Sequence, residues 1–340
     1  MKLRGTIVHR LRGLRTVCAA LSSVVCVGAL GACAGPSEAP TPTPSPSAVW
    51  TNDLGVPVAP MLVGPEPGHT KNIKLASGRS FLLHVPEDYT PERSWPVLLS
   101  FHGWNDSPQN MEEYTQFNAA KAIVAYPQGV DKAWTPAPYA VTSEEEDLDF
   151  VHEIVDSLRA TYSVDDDAIF AAGFSNGGGF AAFLACRMPG TFRSVATISA
   201  AYYEGIHSEC SQRPVGRLDI HGTDDPVVNY DGGVRHGTAY SSVAEVLSQH
   251  QKRNKCVGDV DSVRLTNDAV KETWTGCQAP LQHIRINGGS HVWPGQPSRD
   301  KPEVGWGFAT DTVLDFFGIP GRPEGTEEHG IAETSRRVAK

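Results

Sequence analysis

The chain has 340 residues, 40% hydrophobic and 20% charged, with a formal net charge of -10 at neutral pH. That length holds one large domain or two small ones, and the composition is that of an ordinary globular protein. The first 32 residues carry five basic side chains (Lys2, Arg4, Arg10, Arg12, Arg15) and no acidic one, so the remainder carries 24 basic and 39 acidic groups, a net of -15. A surface that acidic argues against nucleic acid as a partner. No run beyond the N-terminal segment is long and apolar enough to span a bilayer.

The N-terminus reads as an export signal. A basic stretch through Arg15 precedes an apolar stretch from Val17 to Ala32, which ends in the small residue a signal peptidase accepts. Leu30-Gly31-Ala32-Cys33 is similar to a bacterial lipobox, which implies a diacylglyceryl group on Cys33 and a lipid anchor at the outer face of the cell membrane. The alternative is an ordinary signal peptide with Cys33 incidental. The Pro-, Thr- and Ser-rich tract that follows cannot bury a core and should form an extended, polyproline-like tether. The expected organisation is a signal peptide at 1–32, the lipidated cysteine and linker at 33–50, one folded domain at 51–318, and a polar, disordered tail at 319–340.

Within the domain, residues 80–86 read as a strand closed by Pro86, 96–101 as a buried strand ending at His102-Gly103, and 122–126 as another stopped by Pro127. Short apolar runs bounded by turn signals suit a parallel sheet. Ser143-Glu144-Glu145-Glu146 is a capping box. Val151, Ile154, Val155, Leu158 and Tyr162 then give one apolar helical face. The acidic cluster is therefore a solvated helix start rather than a metal site. Strands are expected at 168–172, 194–199 and 216–220, short strands within 262–287, and helices at 178–188, 243–253 and 309–317. This alternation implies one doubly wound α/β domain with a mostly parallel sheet.

The strongest chemical signal is Gly173-Phe174-Ser175-Asn176-Gly177, which follows an apolar strand and opens a helix. A serine on such a turn projects its hydroxyl above the sheet, and the helix start behind it supplies N–H groups to a developing oxyanion. Serine is a poor nucleophile until a base takes its proton, so an acid and a histidine are sought downstream. His221-Gly222-Thr223-Asp224-Asp225 follows a strand, and two aspartates compete for the acid. His291, in Gly288-Gly289-Ser290-His291-Val292-Trp293-Pro294, follows the last candidate strand and is the natural base. His221, His236, His250 and His283 are weaker alternatives. The backbone N–H groups of Trp104, in the turn after His102-Gly103, and of Asn176 are the oxyanion candidates.

Cys186, Cys210, Cys256 and Cys277 remain in the domain. An even count in an exported chain implies two disulfides with three possible connectivities, and proximity favours Cys186–Cys210 and Cys256–Cys277. Each such bridge would contribute about 3 kcal/mol.

Together these residues resemble the polyhydroxybutyrate depolymerase-like esterases, which overlap the feruloyl and acetylxylan esterases of carbohydrate esterase family 1. The resemblance is carried by Leu99-Ser100-Phe101-His102-Gly103, Gly173-Phe174-Ser175-Asn176-Gly177-Gly178, Ala185-Cys186-Arg187-Met188-Pro189, His221-Gly222-Thr223-Asp224-Asp225, Arg253-Asn254-Lys255-Cys256, Trp274-Thr275-Gly276-Cys277 and His291-Val292-Trp293-Pro294-Gly295, and spans about residues 70–318. It implies an α/β-hydrolase fold with a minimal lid. The implied machinery is Ser175, His291 and, matching the family's His-Gly-Thr-x-Asp pattern, Asp225, with no cofactor and an ester as the partner. It also implies the Cys256–Cys277 bridge. Trp104 and Gly179 depart from the family pattern near the expected acyl pocket. Trp104, Trp134 and Trp293, with Tyr202 and Tyr203, are candidates to stack on an aromatic acid or a sugar, or else are packed aromatics. A serine peptidase of the same fold and a non-catalytic surface lipoprotein remain as alternatives.

Overall fold

The computed structural model describes residues 61–296 and 304–321. The signal segment, Cys33, the linker and most of the tail lie outside the described residues.

The chain enters at a sheet edge, where β1 (Thr70–Lys74) pairs antiparallel with β2 (Ser80–His84). There follow β3 (Trp95–Phe101), helix α1 (Pro108–Thr115), β4 (Ile123–Pro127), α2 (Glu144–Thr161), β5 (Val164–Phe174), α3 (Asn176–Arg187), β6 (Ser194–Ile198) and β7 (Gly216–Gly222). A separate short hairpin, β8 (Gly233–Arg235) and β9 (Thr238–Tyr240), precedes α4 (Val243–Arg253). The strands β10 (Val260–Arg264), β11 (Ala269–Trp274) and β12 (Leu281–Ile286) and the helix α5 (Phe308–Phe317) complete the fold. The ten-stranded sheet runs β1-β2-β4-β3-β5-β6-β7-β12-β11-β10. Its inner six strands, β4 to β12 in that order, are mutually parallel, and the flanking pairs are antiparallel.

Both faces of the parallel strands are covered, and residue alternation sorts side chains between them. Val97, Leu99, Ile169 and Ala171 face one core with α2, α3 and Val246 of α4. Leu98, Phe170, Ala172, Ala196, Ile198, Leu218 and Ile284 face the other with α5 and Met111 of α1. The α2 capping box forms as expected: the Ser143 N–H donates to the Glu146 carboxylate (2.7 Å), and the Glu146 N–H donates to Ser143 Oγ (3.2 Å). Tyr162, expected on the apolar face, instead stands just past that helix as its cap, and Phe150 joins Val151, Ile154, Val155 and Leu158 in being buried. Helix α3 is buried along its length, from Asn176 to Cys186, as suits a helix of small and apolar residues at the centre of the fold.

Both cysteine pairs favoured by proximity are bridged: Cys186–Cys210 ties α3 to the β6–β7 connection, and Cys256–Cys277 ties the turns after α4 and β11. The packed chain runs past residue 318, because Ile319 is buried and the Pro320 carbonyl accepts from the Lys121 N–H (2.9 Å). Phe317 closes the second core by stacking on Phe170, with centroids 4.5 Å apart. Phe317→Ala should destabilise the fold by about 3–5 kcal/mol. A fall in the urea midpoint at unchanged m-value would report it.

Candidate active site

The loops after β5, β7 and β12 leave the same, carboxyl edge of adjacent parallel strands, where open α/β sheets place ligands. Ser175 sits between β5 and α3 at φ 54° and ψ -118°. A side chain at positive φ costs on the order of 1–3 kcal/mol and persists only where its surroundings hold it. Here the Ser175 N–H donates to the Ile198 carbonyl (2.9 Å), and its own carbonyl accepts from the N–H groups of Gly179 (3.0 Å) and Ala201 (3.1 Å). Gly177 lets α3 start against the end of β3, because a Cβ there would collide with the carbonyls of Phe101 and His102.

The turn after β3 lies beside this elbow. His102 is fully buried. Its Nδ1 donates to the Gly103 carbonyl (2.7 Å) and its Nε2 accepts from the Gly129 N–H (3.1 Å), a pattern that needs the neutral ring. Trp104 follows, and Asn176 is the first residue of α3, whose N–H has no acceptor within the helix. The Asn176 side chain turns inward. Its Oδ1 accepts from the Trp134 N–H (2.9 Å) and its Nδ2 donates to the Trp134 carbonyl (3.0 Å). The Trp134 indole in turn donates to the His102 carbonyl (3.0 Å). One residue thus ties the elbow to the turn that faces it.

Asp225 lies three residues past β7 and is buried. Its Oδ2 accepts from His291 Nδ1 (2.7 Å), and its Oδ1 accepts from the N–H groups of Val227 and Val228 (2.8 Å each). A second imidazole, His221 Nε2, lies 3.5 Å from the same Oδ2 and donates to the Val228 carbonyl (2.9 Å). Burial pushes the Asp225 carboxyl up, but hydrogen bonds from His221 and His291, the nearby His291 charge and the Val228 N–H outweigh it. The carboxyl is held well below the usual carboxylate range. Asp224, the competing acid, is exposed and accepts from the Thr223 hydroxyl (3.1 Å).

Ser175 and His291 line one cavity of about 340 Å³, with the Gly103-Trp104 turn in the same wall. Phe174 and the His291 ring meet at 4.9 Å between centroids. The outer wall is aromatic: Trp104 packs on Tyr139 (4.6 Å) and His236 (5.0 Å), and Tyr139 on Tyr203 (5.9 Å). Among the described residues no cluster of three His, Cys, Asp or Glu side chains could hold a metal ion.

Residues 74–294, about two thirds of the chain, match the family model named Esterase. The protein belongs to that esterase family. It is 28% identical over 255 residues to feruloyl esterase C of Emericella nidulans, covering 72% of this chain and 88% of that protein. To the probable feruloyl esterase C of Aspergillus terreus it is 27% identical over 263 residues, covering 73% and 89%. Among solved structures, an acetyl xylan esterase from Aspergillus awamori superposes with a TM-score of 0.51 at 14% identity, covering 74% of this chain and 99% of that one. That last likeness speaks for the fold alone. The protein is a carboxylic ester hydrolase of α/β-hydrolase fold.

Within this esterase, two of the three tryptophans expected to meet substrate do not. Trp134 is fully buried, stacked on Phe180 (5.1 Å) and edge-on to Phe101. Trp293 is 1% exposed, packed on Phe117 and donating to Thr310 Oγ1 (3.1 Å). Both are core residues, Trp134 in the first core and Trp293 in the second. Tyr202 is likewise buried, bonded to Asp219, Thr197 and Arg217. Trp104, 46% exposed, and Tyr203 do line the cavity. Gly179 is not a pocket residue either: a Cβ there would strike the Ala201 carbonyl. Tyr139 and Arg235 also line the cavity and carried no signal in the sequence, while His236, expected only as a weaker alternative base, lines its wall from the β8–β9 hairpin.

A second aspartate–histidine pair, Asp219 and His283, is joined at 2.8 Å. Both are fully buried, and the Tyr230 hydroxyl caps His283 Nε2 (2.7 Å), so the pair has no open nitrogen for substrate. Other buried histidines carry a pH signature. Burial lowers His102 from the ordinary 6.5; it lowers His250 too, aided by the Arg217 and Arg253 charges. Each is neutral in the fold but protonates in the unfolded chain, so stability falls as pH drops below about 6.5, by up to about 1.4 kcal/mol per pH unit per group. His221 has the opposite sign: burial lowers it, but the Asp225 hydrogen bond and the Asp219 charge raise it overall, so its contribution is full below 6.5 and lost as pH rises through its folded value. Urea midpoints should therefore decline from about pH 6.5 downward. A profile flat to pH 5 would count against these assignments.

Proposed function

We propose that the protein is an exported serine esterase that hydrolyses esters of aromatic acids through an acyl-enzyme on Ser175. The observation that carries this is the hydrogen-bonded Asp225–His291 pair opening on the same cavity as the Ser175 elbow. His291 Nδ1–H is held by Asp225, which leaves Nε2 with the lone pair. That nitrogen takes the Ser175 proton as the oxygen attacks the ester carbonyl, and Asp225 stabilises the imidazolium that forms. The backbone N–H groups of Asn176 and Trp104 hold the oxyanion. His291 returns the proton to the leaving alcohol. Water then enters, gives its proton to His291 and attacks the acyl carbon, and Ser175 departs with that proton.

The aromatic wall of Trp104, Tyr139, Tyr203 and His236 supports an aromatic acyl group, as do relatives named feruloyl esterases. The test is a fluorophosphonate probe together with methyl ferulate, acetylated xylan, a hydroxybutyrate ester, p-nitrophenyl acetate and a matched amide. Labelling of Ser175 and preference for methyl ferulate over the amide are expected. Absent labelling sinks the acyl-enzyme; equal cleavage of the amide favours a peptidase. Trp104→Ala should raise KM for methyl ferulate about fivefold, a loss of roughly 1 kcal/mol of stacking, and leave p-nitrophenyl acetate nearly unaffected.

Export rests on the basic-then-apolar N-terminal segment, and a lipid anchor on Cys33 rests on its lipobox-like context. Cys33→Ala should release the protein from membranes into the medium. A protein already free in the medium with Cys33 intact argues for the plain signal peptide.

A further inference from the structure

A second cavity, of about 470 Å³, opens at the end of α4, and its walls include Arg253, His250 and His207. Arg253 is only 5% exposed. Its Nη1 is held by the Ala185 carbonyl (3.5 Å) and Cys210 Sγ (3.3 Å). Its Nε and Nη2 are buried and have no partner. Among the described residues no carboxylate pairs with it; the charge acting on it is another cation, Arg217, and burial followed by that repulsion lowers it to about 10. Arg217 differs, for Asp219 stands 3.8 Å from it.

The neighbouring groups are donors as well. Arg217 Nη1 donates to His250 Nε2 (2.7 Å), which places the His250 proton on Nδ1, and that atom also lacks a partner. His207 packs edge-on to His250, with centroids 5.3 Å apart, and its Nε2 is likewise unpartnered. Glu204 and Lys252 line the same cavity, both exposed.

A buried cation without a counterion is costly, and water would satisfy its N–H groups without neutralising its charge. The unpartnered Nε and Nη2 are the two parallel donors of one guanidinium edge, the geometry that matches the two oxygens of a carboxylate. The volume lies in the range of small-molecule sites and exceeds what one water needs. We propose that this cavity binds a small organic carboxylate and that Arg253, whose Nε/Nη2 edge is closed to solvent in this conformation, turns that edge onto the acid as its anchor, with His250 Nδ1, closed off in the same way, as a further donor. The site is separate from the ester-cleaving cavity, sharing only the Tyr203 side chain with it. The inference does not rest on the proposed acyl-enzyme.

The test uses the purified protein and three acids that are not esters, so binding is read without hydrolysis. Acetate and ferulate represent a free acid, and glucuronate represents a sugar-borne one. Each is titrated up to about 50 mM against sodium chloride at matched ionic strength, following the thermal unfolding midpoint. A saturable rise with at least one carboxylate, absent with chloride, is expected, and which acid saturates first identifies the source. Arg253→Lys, which keeps the charge but not the fork, should weaken that binding about tenfold or more. Gln249→Glu adds an acid at an exposed position of the cavity wall, so it should fold normally, weaken binding about fivefold, and leave p-nitrophenyl acetate turnover unchanged. This variant decides if Arg253→Lys does not fold. The proposal is overturned if no acid saturates, if chloride stabilises equally, or if affinity is unchanged by Gln249→Glu, which would place the acid in the catalytic cavity instead.

Discussion

Ser175→Ala should lower kcat on p-nitrophenyl acetate by about 10⁶, leaving only what oxyanion donors and binding provide. The backbone at this position is fixed by three hydrogen bonds from neighbouring strands and helix, none of which uses the hydroxyl. The variant should therefore keep the native circular dichroism spectrum and unfold within about 0.5 kcal/mol of the parent. Loss of activity with the fold intact would assign the chemistry to the oxygen itself. A variant retaining a tenth of the parent rate would mean that another group attacks the ester.

Asp225→Asn is the second large effect, and its direction follows from hydrogen-bond bookkeeping. The Oδ1 position receives two N–H groups, from Val227 and Val228, so it must stay an acceptor. The amide nitrogen then takes the Oδ2 position and donates to His291 Nδ1, which must give up its proton. The proton moves to Nε2, the nitrogen required as a base. A fall of about 10⁴ in kcat with little change in KM is expected. Asp224→Asn, at the exposed neighbour, should be nearly silent. The substitution should also remove stability at neutral pH. Because the Asp225 carboxyl is depressed in the fold, its contribution is present above its ordinary value of 3.8 and is lost as pH falls below that. Equal rates in the two variants would overturn the assignment of the acid.

The sequence made the frame of this site readable because the frame is made of turns. Glycines flanking Ser175, His-Gly after β3 and Gly-Gly before His291 each mark a strand end; the hydrolase order pointed to His291 as the base but left Asp224 and Asp225 competing, and only the family resemblance chose between them. The parallel strands were legible as apolar runs because both of their faces are buried. β1 was not, since Ile73 is its only buried residue, and β10, exposed throughout, fell only in part within the short strands expected at 262–287. Helix α1 carried a start signal, with Ser107 capping the Asn110 N–H and Pro108 in the first turn, but its weak apolar face hid it. The tryptophans failed for a different reason. Nothing in Trp134 or Trp293 as residues distinguishes a ring that meets substrate from one that closes a core; only the path of the loop decides that. The cavity's outer wall was hidden because β8 and β9 are three residues each and, among the described residues, pair with the body only through an isolated β-bridge, Tyr203 to Tyr240.

The position of Trp134 bears on how this enzyme should fail when heated. Its ring lies between Phe150 and Phe180 inside the first core, and its backbone and indole hold Asn176 and His102. Activity therefore has no independent melting point. Catalysis should vanish in the same transition as the near-ultraviolet signal of the buried indole, without an earlier stage in which a folded but inert species accumulates.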